Sequence, residues 1–209
     1  MGKLVFITGA SSGIGQALAW RYYQAGWSLA LVARRTQEIE RWAAAQGLAA
    51  GRFAVYGADV AQPDSVIAAA HSCLATQGLP DAVIANAGIS IGVDTAHRSD
   101  LDAMTETFAV NNVGMAATFH PFISAMVARG TGALVGIGSV AGIRGLPGHG
   151  AYCASKAAVI SYCESLRGEL QPSGIKVVTI CPGYIDTPLT RQNRCVMPFL
   201  MQPQDYVDR

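Results

Sequence analysis

With 209 residues, 51% of them apolar and only 14% charged, the chain is long enough to bury a sizeable core, which excludes a disordered polypeptide and favours elements covered on both sides. A net charge of +1, with no Lys/Arg cluster beyond Arg34-Arg35, gives no ground for nucleic acid or an anionic membrane as a partner. Five cysteines (Cys73, Cys153, Cys163, Cys181, Cys195) are odd in number and form no CxxC pair, so they read as small buried hydrophobes, not as a disulfide framework or a zinc site.

Met1-Gly2-Lys3-Leu4 runs into a strand-like segment with no signal-peptide layout, and a cytoplasmic protein is expected. Residues 4–8 are a short β-branched and aromatic run of the kind buried on both faces of a sheet. Gly9-Ala10-Ser11-Ser12-Gly13-Ile14-Gly15 follows, then an Ala/Leu/Tyr helix ending near Gly26. A second buried strand over 28–33 leads into Arg34-Arg35, a helix over 38–46 stops at Gly47, and a strand over 53–57 precedes Asp59-Val60. A helix over 64–76, a strand over 81–85 and the turn Asn86-Ala87-Gly88 come next.

Residues 100–129 have helical periodicity, disturbed by Asn111-Asn112 and Gly114 and, later, by Pro121, which removes a backbone donor. The uncharged run 107–128 inside it holds Asn111, Asn112, His120 and Pro121, which suits a buried or interface helix better than a membrane span. A strand over 133–137, a helix over 152–170, a stop at Pro172-Ser173-Gly174 and a strand over 176–180 complete the alternation. Six strands separated by helices predict an α/β fold with a doubly wound, Rossmann-like parallel sheet, in one domain over 1–209.

Ligands of such a sheet sit beyond the carboxyl ends of its strands. In the turn after the first strand, Gly9, Gly13 and Gly15 let a pyrophosphate approach the backbone, and the next helix offers N–H groups and a positive dipole end. A glycine turn also serves plain turn geometry, so its position between the first strand and first helix carries the weight. In the run from Gly150 to Ala158, Tyr152 and Lys156 stand at i and i+4 on one helical face. At ~5 Å and an effective dielectric of about 20, an ammonium favours the ionised phenol by about 3 kcal/mol, or roughly two pKa units. That predicts a tyrosine able to give and take a proton near neutral pH, although the pair read by itself more often marks a Tyr and a Lys that merely share a helix surface. Arg34 and Arg35 occupy the place where an NAD enzyme is expected to carry an acidic side chain for the ribose hydroxyls. Guanidinium forks suit a 2′-phosphate, so NADP (NADPH) is the predicted cofactor and NAD the less favoured one, with the two charges as plain solvated surface the competing view.

Thr8-Gly9-xxx-Gly13-Ile14-Gly15, Asp59-Val60, Asn86-Ala87-Gly88, Val110-Asn111-Asn112-Val113-Gly114, Ser139, Tyr152-xxx-Lys156 and Pro182-Gly183-Tyr184-Ile185-Asp186-Thr187 together resemble the short-chain dehydrogenase/reductase family, in its common single-domain branch. The resemblance runs from residue 3 to about 190, and the ordered set is far more specific than any member of it. It implies an oxidoreductase exchanging a hydride between NADP(H) and a ketone or secondary alcohol. Tyr152 is implied as general acid and base, Lys156 as the partner that lowers its pKa and holds the nicotinamide ribose, and Ser139 as the holder of the substrate oxygen. Asn111 is implied in a proton path from Lys156 to solvent, with mere satisfaction of a distorted helix as the alternative. Asp59 is implied at the adenine amino group with Val60 beside it, or else as a cap for the following loop.

Gly9, Ser11, Ser12, Gly13, Ile14, Gly15, Asn86, Ala87 and Gly88 complete the implied dinucleotide site, with Pro182, Gly183, Ile185 and Thr187 near the nicotinamide. The family's usual last helix and strand are not visible before Arg209, so either the chain is a shortened form or the sheet has six strands, with one edge in need of cover. Residues 184–209, without a clear strand, are implied as a lid over substrate; His149 and Leu146 either touch substrate or sit on an exposed loop. No metal is expected, because His71, His97, His120 and His149 lack ligand spacing. The uncharged helix faces imply a homodimer or homotetramer. A catalytically silent dinucleotide-binding sensor or scaffold, or an inactive fragment, is the alternative to the enzyme.

Overall fold

The computed structural model describes residues 2–192 and 196–208. Six parallel strands, β1 (Leu4–Thr8), β2 (Ser28–Ala33), β3 (Phe53–Gly57), β4 (Ala82–Ala85), β5 (Gly132–Ile137) and β6 (Ile175–Ile180), form one sheet in the order β3-β2-β1-β4-β5-β6. The order reverses direction at β1 and β4, so their carboxyl ends open a crevice at the switch point of the sheet. The family-like alternation of strand and helix is thus realised, with six strands among the described residues.

Side-chain alternation along the strands supplies two cores. Phe6, Val32, Val83 and Leu134 point to the face covered by α3 (Pro63–Thr76), α5 (Gly114–Arg129) and α6 (Gly150–Leu170), where Phe119, Phe122 and Met126 are fully buried. Val5, Ile7, Leu31 and Ile84 point to the face covered by α1 (Gly13–Gln24) and α2 (Thr36–Ala45). The tyrosines and tryptophans of α1 pack as expected of structural residues: Trp20 stacks on Tyr23, and Tyr22 meets Trp27 edge-on.

The long periodic stretch divides. Helix α4 (Ser99–Phe108) passes into a π turn (Ala109–Val113) and then into α5, with the distortion at Asn111-Asn112 where the sequence breaks its pattern. After β6, residues 184–186 are stitched to Met201 by two backbone hydrogen bonds of 2.8 and 3.0 Å, and α7 (Pro203–Val207) lies against α1, with Asp208 paired to Arg21 at 3.0 Å. Residues 201–208 thus pack back onto the β6 end and the first helix. Cys73, Cys153 and Cys163 are buried, as expected of small hydrophobes, whereas Cys181 is half-buried and Cys195 lies outside the described residues.

Candidate active site

The glycine turn has the shape a phosphate needs. Gly9 and Gly13 adopt φ of 70° and 55°, which side chains rarely tolerate, and a Cβ on Gly15 would overlap the Gly9 carbonyl oxygen. Ser12 precedes α1 in an extended conformation and makes no side-chain cap to it, so the first-turn N–H groups of α1 face the turn without a side-chain acceptor at the cap. Both features fit a dinucleotide pyrophosphate.

From this turn a cleft of about 240 Å³ runs along the strand ends, lined by Gly9, Ser11, Ser12, Gly13, Ile14, Arg34, Arg35, Asp59, Val60, Asn86, Ala87, Gly88 and Thr187. Thirteen residues singled out from sequence therefore meet in one groove. Asn86 fixes its floor by donating from Nδ2 to the carbonyls of Thr8 and Gly9 at 3.0 and 3.3 Å. The Thr8 hydroxyl accepts the N–H groups of Asn86 and Ala87 at 3.2 and 3.3 Å, which welds the ends of β1 and β4. Thr187 closes the other side, its methyl within 3.0 Å of where a Gly13 Cβ would stand. Val110, Glu106, Pro188 and Leu189 also line the groove. They were not singled out from sequence as site residues, and only the helical spacing of Glu106 and Val110 hinted at a shared face.

Asp59 has a loop function: its Oδ1 accepts the Ala61 N–H at 3.0 Å. Its other oxygen faces the Arg34 guanidinium at 3.8 Å, a loose and exposed pair. Pro182, Gly183 and Ile185 lie elsewhere, beside a second cavity of about 670 Å³ between α1, the end of β6 and α7. Pro182 nonetheless adjoins Ser139, because its carbonyl accepts the Val140 N–H at 3.0 Å.

Ser139, Tyr152 and Lys156 are not among the residues that line the cleft; they meet beside it, Ser139 against Tyr152 and Tyr152 against Lys156. Lys156 is 5% exposed and donates from Nζ to the Ile137 carbonyl at 2.8 Å, and Nζ lies 5.8 Å from the centre of the Tyr152 ring. Gly88 brings the cleft to it: a Cβ there would sit 3.4 Å from Nζ. Burial lowers the Lys156 pKa to about 8, a drop countered in part by the neighbouring Cys181.

The Tyr152 pKa departs from expectation. Spacing alone predicts a phenol acidified by Lys156, but burial raises its pKa above the ordinary value, and the hydroxyl of Ser139 draws it back only in part. Lys156 is indeed a neighbour of the Tyr152 ring, yet burial outweighs it. Spacing cannot register that both groups leave water, which disfavours the phenolate and the ammonium alike. In the ligand-free chain Tyr152 is therefore a protonated phenol at neutral pH.

Asn111 is buried within the π turn, and its side chain is committed. Oδ1 accepts the Ile89 N–H, while Nδ2 donates to the Ile89 carbonyl and to the Ser155 hydroxyl, each at 2.9 Å. It ties the β4 loop to α6.

A family model described as short chain dehydrogenase matches residues 3–196. The chain belongs to the short-chain dehydrogenase/reductase family. Over 206 residues it is 35% identical to an uncharacterised oxidoreductase of Myxococcus xanthus (strain DK1622), covering 99% of this chain and 81% of that protein. It is 38% identical over 193 residues to a dehydrogenase/reductase SDR family protein 7-like of Drosophila melanogaster, covering 90% of this chain but only 59% of the fly protein. Among solved structures, the 3-ketoacyl-(acyl-carrier-protein) reductase of Brucella melitensis complexed with NADH superposes with a TM-score of 0.89 at 28% identity, covering 99% of this chain and 88% of that one. The short-chain dehydrogenase/reductase family is one of NAD(P)-binding oxidoreductases. No helix among the described residues is long and apolar enough to cross a membrane.

Proposed function

We propose that this family member is an NADPH-preferring enzyme that reduces ketones and oxidises secondary alcohols, with Tyr152 as the acid and base. The observation that carries the reading is the meeting of the Tyr152 phenol, the Ser139 hydroxyl and a buried lysine, with Lys156 adjoining the glycine-lined cleft at Gly88. NADPH, when bound, supplies the hydride. In reduction the carbonyl carbon receives that hydride and its oxygen receives the Tyr152 proton, which yields the alcohol. Ser139 holds the same oxygen and stabilises the charge that develops on it.

Lys156 keeps a positive charge beside Tyr152 up to about pH 8 and so favours the phenolate left behind. Asn111, in the π turn beside α6, belongs to the path that returns a proton from solvent. Gly9 to Gly15 would hold the pyrophosphate, Asp59 and Val60 the adenine, and Thr187, with Pro182 beside Ser139, the nicotinamide side, whereas Gly183 and Ile185 border the second cavity. Arg34, 68% exposed and only loosely paired, is available to a 2′-phosphate together with Arg35, and this supports NADPH over NADH.

In the same reading, residues 1–209 act as one dinucleotide-binding and catalytic domain, and 184–209 cover the substrate as a lid. A homodimer or homotetramer, formed through the face on which Val113, Val127 and Tyr162 are exposed, fits that apolar surface. Free thiols at Cys73, Cys153, Cys163 and Cys181 agree with a reducing, cytoplasmic setting. The silent sensor finds no favouring observation, since dinucleotide binding alone gives no use for the Tyr152 phenol hydrogen-bonded to the Ser139 hydroxyl.

The test is a spectrophotometric screen of neutral ketones and secondary alcohols with NADPH and NADH, run beside Tyr152→Phe. Turnover with NADPH that vanishes in the variant is the expected result. Equal turnover in the variant, or a preference for NADH in the unaltered chain, would overturn the acid assignment or the cofactor assignment respectively.

A further inference from the structure

The π turn holds two adjacent asparagines, and only the first has been given work above. In a regular α-helix successive side chains point about 100° apart, so two neighbours seldom reach the same partner. The wider π turn changes this. Asn111 reaches the Ser155 hydroxyl at 2.9 Å, and Asn112 donates from Nδ2 to the Ser155 backbone carbonyl at 2.8 Å. The Ser155 hydroxyl in turn donates to the Tyr152 carbonyl at 2.8 Å. Ser155 is fully buried and stands one residue before Lys156. The two asparagines thus grip, from side chain and main chain together, the single turn of α6 that carries both Tyr152 and Lys156.

The Asn112 bond is unusual in two respects. A carbonyl inside a helix already receives the N–H four residues on, so the Asn112 amide is a second donor to a group with no need of one. In addition, Asn112 Oδ1 is buried with no partner among the described residues. An orphaned buried acceptor destabilises, whereas an apolar side chain of the same volume would not, so stability gives no reason for an amide at this position. Positioning does. The bond holds the helix backbone at residue 155 against the π turn, and so fixes the root of the lysine stem whose Nζ must stay between the Ile137 carbonyl and the Gly88 end of the cleft.

We propose that Asn112 is a positioning residue: through the Ser155 carbonyl it sets where Lys156 stands relative to Tyr152. The proposal rests on the proton-transfer role given to these two residues, and its test is chosen to report without turnover. Lys3, Lys156 and Lys176 are the chain's three lysines, so side-chain NMR of isotopically labelled lysine follows Lys156 directly, the other two being assigned by Lys3→Arg and Lys176→Arg. Tyr152 and Cys181 are the titratable groups beside it.

In Asn112→Leu, which keeps the volume and removes both the donor and the orphaned oxygen, the melting temperature is expected to stay level or rise. The Lys156 titration, near pH 8 in the unaltered chain, is expected to move up towards the ordinary lysine value as the side chain regains water. The kcat for carbonyl reduction is expected to fall roughly ten- to a hundredfold, the scale of a misplacement of about 1 Å, with little change in NADPH affinity by fluorescence titration. Asn112→Ser, smaller and still polar, gives the same readings should the leucine variant fold poorly. A folded variant with the Lys156 titration unmoved overturns the proposal, whatever happens to activity. If the unaltered chain turns over no carbonyl compound, the function proposed above fails, and the lysine titration still decides whether Asn112 positions Lys156.

Discussion

At the nucleotide end of the cleft the walls are main chain: glycines at positive φ, the uncapped start of α1, and carbonyls held by Asn86. Around Tyr152, beside the cleft, the groups are buried polar side chains, with Lys156, Asn111 and Ser155 each bonded to a fixed partner. In the proposed function the first end would recognise a dinucleotide by shape and exposed charge, in contact with water. The second works by holding ionisable groups where water is scarce, which moves their pKa values away from what spacing alone predicts. Side-chain chemistry should therefore be critical at one end and steric room at the other.

The most severe break is Tyr152→Phe, which deletes one hydroxyl and no packing surface. Loss of the acid is expected to lower kcat by about 10² to 10⁴, with NADPH binding kept near the unaltered value in a fluorescence titration. Retention of a tenth of the activity would place the acid on another group. The matching break at the other end is Gly15→Ala, where one methyl group collides with the Gly9 carbonyl. Relief requires backbone movement in the phosphate turn, and NADPH affinity should weaken by about tenfold or more, each 1.4 kcal/mol being a factor of ten. Affinity unaltered in this variant would mean that the pyrophosphate lies elsewhere.

Arg34→Asp tests exposed charge instead of room. Hydrogen bonds to charged groups contribute roughly 1.5–3 kcal/mol, so the NADPH-to-NADH ratio of kcat/KM should drop about ten- to a hundredfold. A ratio that does not move would assign the 2′-phosphate to Arg35 or to nothing.

Lys156→Met sharpens the comparison through stability. The folded-state pKa of about 8 lies below the ordinary 10.5, so between these values the unfolded chain binds more protons than the folded one, and stability rises with pH across that window. Below pH 8 the unfavourable burial of the ammonium is present in full. Removing the charge at pH 7 is accordingly expected to stabilise the fold by up to about 3 kcal/mol while ending reduction, as read by denaturant titration beside an activity assay. Destabilisation would show that the bond to the Ile137 carbonyl outweighs desolvation. The mildest effect is the pH profile itself: kcat for reduction should decline as pH rises through about 8, where Lys156 loses its proton and the phenolate its support.

Much of this was legible from residues alone because its physical cause is local. Strand positions follow from short buried apolar runs, and the break at Asn111-Asn112 marks a helix that cannot stay regular. The glycine turn is readable because only glycine combines positive φ with close approach. Arg34 follows β2 by chain position, and i, i+4 spacing brings Lys156 to Tyr152 wherever a helix forms.

What the chain's order could not reveal depends on segments that meet only after folding. The direction of the Tyr152 shift comes from burial, a property of the assembled fold and not of helix spacing. The welding of β1 to β4 by the Thr8 hydroxyl and the grip of Asn112 on residue 155 are each hydrogen bonds whose two ends are brought together by packing. By itself the sequence determined the sheet, the phosphate turn and which side chains could do chemistry, since these follow from backbone freedom and periodicity. Only the tertiary structure decided their protonation and exact bearing, because solvation and hydrogen-bond partners belong to the assembled fold.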